Sequence, residues 1–185
     1  MKNSLGPAMS CQCCKPAAPT STPAVGGYFL LDSHEGKRID AFSFGDRLML
    51  LFFGFTNCAV VCPRELAKID SALDELGELA EKIQPLYVTV DPERDCPKTL
   101  RDYLKDRPRF IGLTGSRPEI DATKRSYRVF AERREDAGAP GGYVVPHTTM
   151  AYLAAPGGQV LANFVDSIDA AELAKRLLAK LRESH

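Results

Sequence analysis

Leu48-Met-Leu-Leu-Phe-Phe-Gly-Phe-Thr-Asn-Cys-Ala-Val-Val-Cys-Pro63 begins as an unbroken apolar run and passes directly into a helical pattern. Leu48 to Phe53 is apolar at both parities and offers no face to water, which suits a central strand covered on both sides. Beyond Cys62 the apolar side chains fall at Leu66, Ile69, Leu73, Leu76 and Leu79, in steps of three and four. That period predicts an amphipathic helix, and Pro63 is tolerated because a first helical turn makes no use of the missing N–H.

The neighbouring segments complete the pattern. Tyr28 to Leu31 and Arg38 to Phe42 read as two short strands around a turn, Pro85 to Val90 as a second buried strand ending at Asp91-Pro92, and Phe110 to Leu113 as a third. Helices are expected from Pro97 to Lys105 and, after the capping-box pattern Ser116-Arg-Pro-Glu119, to about Phe130. Residues 131–142 are polar and rich in Gly and Pro, hence an exposed loop. Thr149 to Ala155 and Gln159 to Val165 flank Pro156-Gly-Gly158 as a hairpin, and Ala170 to Leu181 closes the chain as a helix. This order predicts an α/β fold, a thioredoxin-like sandwich with a central mixed β-sheet flanked by helices and an N-terminal β-hairpin. Residues just after its parallel strands, Asn57 to Cys62 and Asp91, share a sheet edge with residues just ahead of the strand from Thr149. His147 is therefore expected beside the cysteines.

Composition narrows the function. The chain has 185 residues, 24 Lys+Arg against 24 Asp+Glu, six Cys, three His and no Trp, with 44% hydrophobic residues. With no net charge and the signs interspersed, there is no basic stripe for nucleic acid. No apolar run approaches the roughly 20 residues that cross a bilayer, and no transmembrane segment is expected. Residues 1–25 hold four of the thirteen prolines and few large apolar side chains, so they read as a disordered Pro-rich tail carrying Cys11-Gln-Cys-Cys14, with the compact domain over 26–185. Cys11, Cys13 and Cys14 crowd the tail while Cys58, Cys62 and Cys96 lie in the body, a distribution that suits metal or redox chemistry better than a disulfide framework.

Cys58-Ala-Val-Val-Cys62 places two thiols at i and i+4, expected together in the first helical turn about 6 Å apart. That separation permits either a disulfide or joint coordination of one metal ion, and the helix N-terminus favours thiolate over thiol. Two buried apolar cysteines without chemistry would be the plain alternative. Three separated motifs, Gly54-Phe-Thr-Asn-Cys-Ala-Val-Val-Cys-Pro63, Val90-Asp-Pro-Glu-Arg-Asp95 and His147 ahead of Tyr152-Leu153, resemble the CxxxC, DPxRD and distal-His signatures of the Sco/SenC family over about residues 27–183.

The resemblance implies a thioredoxin-like copper protein that delivers copper to, or matures, the binuclear copper centre of cytochrome c oxidase, with Cys58, Cys62 and His147 as the metal ligands. It also implies, as partner, the copper-site subunit of that oxidase or another copper chaperone, a monomeric state, and a periplasmic or membrane-facing location with the anchor outside this chain. The chemistry of the set agrees: two thiolates and an imidazole suit Cu(I) and, with a weak extra ligand, Cu(II), whereas a structural zinc would want a fourth strong ligand, for which Asp91 or water is available. Departures from the family pattern are Asn57, Ala59 and Val60 around the first cysteine and Pro146 before the histidine.

Other residues have bland readings beside functional ones. Pro146 is also similar to the proline that faces the dithiol in thioredoxins, so a thiol–disulfide oxidoreductase using Cys58 and Cys62 as catalytic residues stays open, with a thiol peroxidase behind it. Asp91 reads as a turn or cap residue before a site residue. Cys96 reads as a loop thiol or a resolving partner, and the tail cysteines as a Cu(I) trap or an idle feature. Tyr28, Phe29, Phe52, Phe53, Phe55 and Met150 are expected in the core.

Overall fold

The computed structural model of the protein describes residues 25–183. The tail cysteines Cys11, Cys13 and Cys14 lie outside the described residues. The strands and helices, in chain order, are β1 (Leu30–Ser33), β2 (Arg38–Asp40), β3 (Leu48–Gly54), α1 (Val61–Leu76), β4 (Ile83–Thr89), α2 (Pro97–Leu104), β5 (Ile111–Thr114), α3 (Arg117–Tyr127), β6 (Arg134–Glu135), β7 (Tyr143–Val144), β8 (Met150–Ala154), β9 (Val160–Val165) and α4 (Ala170–Glu183).

Seven strands form one mixed sheet in the order β2-β1-β5-β4-β3-β8-β9. The apolar β3 lies between β4, which it pairs in parallel (Phe53 opposite Val88), and β8, which it pairs antiparallel (Leu51 opposite Tyr152). Alternate residues of β3 feed two separate cores. Leu48, Leu50 and Phe52 pack with Leu66, Ile69 and Leu73 of α1, Leu100 and Leu104 of α2, and Leu173 and Leu177 of α4. Met49, Leu51 and Phe53 pack with Ile120 and Tyr127 of α3, and with Phe29, Leu31 and Tyr152. Each such side chain contributes about 1.5–3 kcal/mol on burial, so the sheet is held from both faces and its edges are left for loops. The expected sandwich and the N-terminal hairpin, β1 with β2, are both present.

Several boundaries differ from the sequence reading. The α1 pattern continued to Leu79, but the helix stops at Leu76, where Gly77 adopts a φ of 57°, and Gly77–Lys82 follow as a 3-10 helix. The α3 pattern to Phe130 ends at Tyr127 because Arg128 turns left-handed at φ 54°. The loop expected over 131–142 contains β6, which pairs with β7. Tyr28, expected in the core, is 56% exposed and stacks loosely on the exposed Phe42.

Candidate metal centre

The thiols sit where β3 ends and α1 begins, but not both inside the helix. Phe55 to Val60 form a turn, and α1 starts at Val61, so Cys62 is in its first turn and Cys58 precedes it. Val60 offers no side-chain acceptor at the N-cap. Cys58 takes that role: its Sγ accepts the Cys62 backbone N–H at 3.4 Å, while its own N–H donates to the Phe55 carbonyl at 3.1 Å.

Their environments push the two thiols apart. The Cys62 S–H donated to Cys58, assisted by the N–H groups of Cys62, Val60 and Val61 against the opposing effect of partial burial, lowers the Cys58 pKa from 9.0 to about 5. Cys62 is buried, and the same S–H donation followed by burial drives its pKa strongly up. The close packing depends on Gly54: a Cβ there would lie 2.7 Å from the Tyr87 hydroxyl and 2.8 Å from Cys62 Sγ.

His147 approaches from the other loop at this edge. Its ring stands edge-on to Phe55 with centroids 5.6 Å apart. Nδ1 lies 2.9 Å from the Val145 carbonyl. A carbonyl only accepts, so Nδ1 carries the hydrogen and Nε2 presents a lone pair. That Nε2 is buried with no hydrogen-bond partner among the described residues. The backbone around it is tied down by an Ala131–His147 bridge and by Thr148 N–H donating to the Phe130 carbonyl at 2.9 Å. The Val145–Pro146 peptide is trans, as are all described peptide bonds. Among the described residues no three Cys, His, Asp or Glu side chains stand close enough to hold a metal ion, so the thiols and His147 share an edge without forming a closed shell.

Asp91 is engaged away from the thiols and His147. Its two oxygens are occupied by Arg94 Nε at 2.5 Å and the Tyr143 hydroxyl at 3.0 Å, so the structural reading of this residue holds. Cys96 is exposed at the N-cap of α2, with Sγ 3.2 Å from the Thr99 hydroxyl, which lowers its pKa. Cys58, Cys62 and Cys96 are all free thiols. Met150 is partly buried in the second core. Sequence reasoning missed Thr56, Arg94, Asp95 and Tyr143, which surround the site; Arg94 and Asp95 stand in the Asp-Pro-Glu-Arg-Asp stretch and Thr56 in the motif around the cysteines, while Tyr143 had no signal.

The family model described as SCO1/SenC matches residues 17–182 of this chain. The chain belongs to the SCO1/SenC family. Among its relatives, the mitochondrial Protein SCO1 homolog of Homo sapiens is 35% identical over 166 residues, 86% of this chain and 54% of that protein. A SCO2-like protein of Rickettsia prowazekii is 33% identical over 80% of this chain and 73% of its own length. This SCO1/SenC chain spans about half the length of several relatives it matches. Among solved structures, Arabidopsis thaliana ScoI with copper bound superposes with a TM-score of 0.79 at 34% identity, covering 86% of this chain and 99% of that one. Yeast Sco1 with copper bound gives 0.77 at 30% identity, covering 86% and 90%. The thioredoxin-like fold of this SCO1/SenC chain is thus the one found in copper-bound Sco proteins.

Proposed function

We propose that this SCO1/SenC chain binds copper as cargo through Cys58, Cys62 and His147 and delivers it to the binuclear copper centre of cytochrome c oxidase, or matures that centre. The observation that carries the reading is His147: its Nδ1 is anchored on a carbonyl while its buried Nε2 lone pair has no partner among the described residues. A buried polar atom left unpaired costs about 1–3 kcal/mol, a cost that a ligand at that atom removes. The donor set fits as well, since one ready thiolate, a second thiol and an imidazole make a soft site suited to Cu(I), and with a weak axial ligand to Cu(II). Copper in the Arabidopsis and yeast relatives supports the same assignment. In this reading the protein works as a monomer at a membrane face, periplasmic or equivalent, and meets the oxidase copper subunit or another copper chaperone at the edge where the two loops meet. Among the described residues no helix is long and apolar enough to cross a membrane.

The test is a titration of the reduced protein with Cu(I) and Cu(II), with Cys11, Cys13 and Cys14 replaced by Ser in every variant. One tightly bound copper and an intense thiolate-to-Cu(II) charge-transfer band are expected, both lost in Cys58→Ala/Cys62→Ala. Parental binding by that double variant overturns the assignment.

The asymmetry of the thiol pair favours a second reading, a thiol–disulfide oxidoreductase in which the half-buried, acidic Cys58 attacks a substrate disulfide and Cys62 resolves the mixed disulfide. His147→Ala separates the two. It removes a copper ligand but leaves disulfide reduction at its parental rate.

A further inference from the structure

The five residues from Asp91 to Asp95 touch both of the loops that carry the candidate ligands. At one end Asp95, 1% exposed, accepts the Thr56 N–H at 3.1 Å, the Thr56 hydroxyl at 2.6 Å and the Thr89 hydroxyl at 2.7 Å. Thr56 lies two residues before Cys58. At the other end Asp91, 5% exposed, holds Arg94 Nε and the Tyr143 hydroxyl. Arg94 also donates from Nη1 to the Tyr143 carbonyl at 3.2 Å, and its guanidinium carbon lies 3.6 Å from the Tyr143 ring centroid and 5.9 Å from that of Phe55. Tyr143 begins the short segment leading to Val145, whose carbonyl fixes the His147 Nδ1–H, and Phe55 is the ring on which His147 rests. The turn is closed on itself, since Arg94 and Asp95 both donate their N–H groups to the Asp91 carbonyl, at 3.2 and 3.0 Å, and Asp91 N–H donates to the Thr89 hydroxyl at 2.9 Å.

Two carboxylates buried within five residues are expensive to desolvate, and a turn at a strand end is made as well by exposed Asp or Asn. The distinguishing feature here is where the buried oxygens point: one carboxylate to the thiol loop, the other to the histidine loop. Neither contact is local in sequence, with Thr56 and Tyr143 approaching from opposite sides of the segment along the chain.

We propose that the Asp91–Asp95 turn is the positioning device of the metal site, with Asp95 setting the thiol loop through Thr56 and Asp91 with Arg94 setting the histidine loop through Tyr143. This rests on the copper reading above and deepens it. The thiols and His147 do not form a closed shell as they stand, so the energy of closing it depends on how the two loops are held relative to one another. A single rigid segment bonded to both loops fixes that relation, and Arg94, Asp95, Thr56 and Tyr143 act as positioning residues that need not touch the metal.

The experiment has two arms that fail separately. In the metal-free, reduced protein, Tyr143→Phe and Arg94→Lys should weaken or abolish the slowly exchanging His147 Nδ1–H resonance in nitrogen-edited NMR, while Cys58 reacts with iodoacetamide at the parental rate. Thr56→Val should do the reverse, changing the Cys58 rate and leaving the imidazole resonance in place. In the copper-loaded protein, Tyr143→Phe and Arg94→Lys should speed copper loss to a chelator by about tenfold, and by less than twofold when His147 is already Ala, because the coupling runs through the histidine. Selective effects of this kind support the proposal. It is overturned if each variant moves both apo readouts together, if none moves either, or if copper loss accelerates equally with and without His147. Parental copper loss in His147→Ala alone would instead sink the copper reading, and the apo arm would still decide whether the turn holds the two loops separately.

Discussion

Cys58 and Cys62 show how far four residues of chain can separate two identical groups. One sulfur lies at the mouth of α1 as an acceptor of N–H and S–H donors, and the other is sealed under Gly54 and Tyr87. Of the pair, limiting iodoacetamide should therefore alkylate Cys58 before Cys62, with a rate that rises through pH about 5, and peptide mapping should find Cys62 modified only after unfolding. Cys62→Ala removes the S–H donor and should raise the pH midpoint for Cys58; an unchanged midpoint would show that the neighbouring N–H groups act alone. Gly54→Ala is expected to cost about 1–3 kcal/mol by overpacking, because Tyr87 and Cys62 are both core atoms that cannot swing aside. Urea denaturation measures it, and a loss below about 0.5 kcal/mol would mean that the loop yields. At this scale the sequence was partly legible. Paired thiols and a distant imidazole are visible because their chemistry is carried by residue type. Thr56 and Tyr143 have ordinary residue types, and their part in the site comes from hydrogen bonds across the fold that leave no periodic trace.

Elements are legible where one force forms them and blurred where two compete. The stretch that became β3 could be read without ambiguity because burial on both faces leaves only one pattern. The start of α1 was misplaced, since no Ser, Thr, Asp or Asn stands at its N-cap and the cap is a cysteine sulfur from outside the helix. Its end was overrun because Leu79 keeps nearly the helical period inside a 3-10 turn, although Gly77 had already reversed the backbone. The start of α3 is the contrary case. Ser116 and Glu119 form the capping box their spacing announced, and Glu119 is bonded as well to Arg38 at 2.7 Å. The Ser116 hydroxyl first, then Arg38 and the Ser116 N–H, hold the Glu119 pKa at about 2, down from 4.5. A carboxyl with a lowered folded-state pKa contributes stability that is complete above 4.5 and disappears as pH falls toward 2. Glu119→Gln should therefore lower the thermal midpoint at pH 6 and converge with the parent near pH 2. The side chain is 34% exposed and its Arg38 partner 43%, so a high-salt buffer should shrink the gap. A difference that persists undiminished at pH 2 would assign the effect to the hydrogen bonds alone.

At the scale of the whole molecule, the sheet with helices on both faces followed from the order of apolar periods, and the same topology brought the loop of His147 to the strand end that carries the thiols. The interval between those loops is set by side chains packed between them, which element order does not encode. If copper is held by both loops, it joins segments from the middle and the late part of the chain, and a ligand that binds only the folded form stabilises it by mass action. Free Cu(I) at a hundredfold excess over Kd adds about 2.7 kcal/mol, a rise of roughly 5–10 °C in Tm for a domain of this size. Scanning calorimetry of the reduced protein should show that rise in the parent and a smaller one in His147→Ala; equal shifts would place all binding on the thiols. The pairing of β3 with β8 has one more consequence, in the time of synthesis. Some eighty residues separate Cys62 from His147, roughly 4–16 seconds of translation at about 5–20 residues per second. During that interval the thiols exist without the strand that closes their side of the sheet. A site that takes His147 as well as the two thiols therefore cannot be completed before the chain has grown into the strand that pairs with β3.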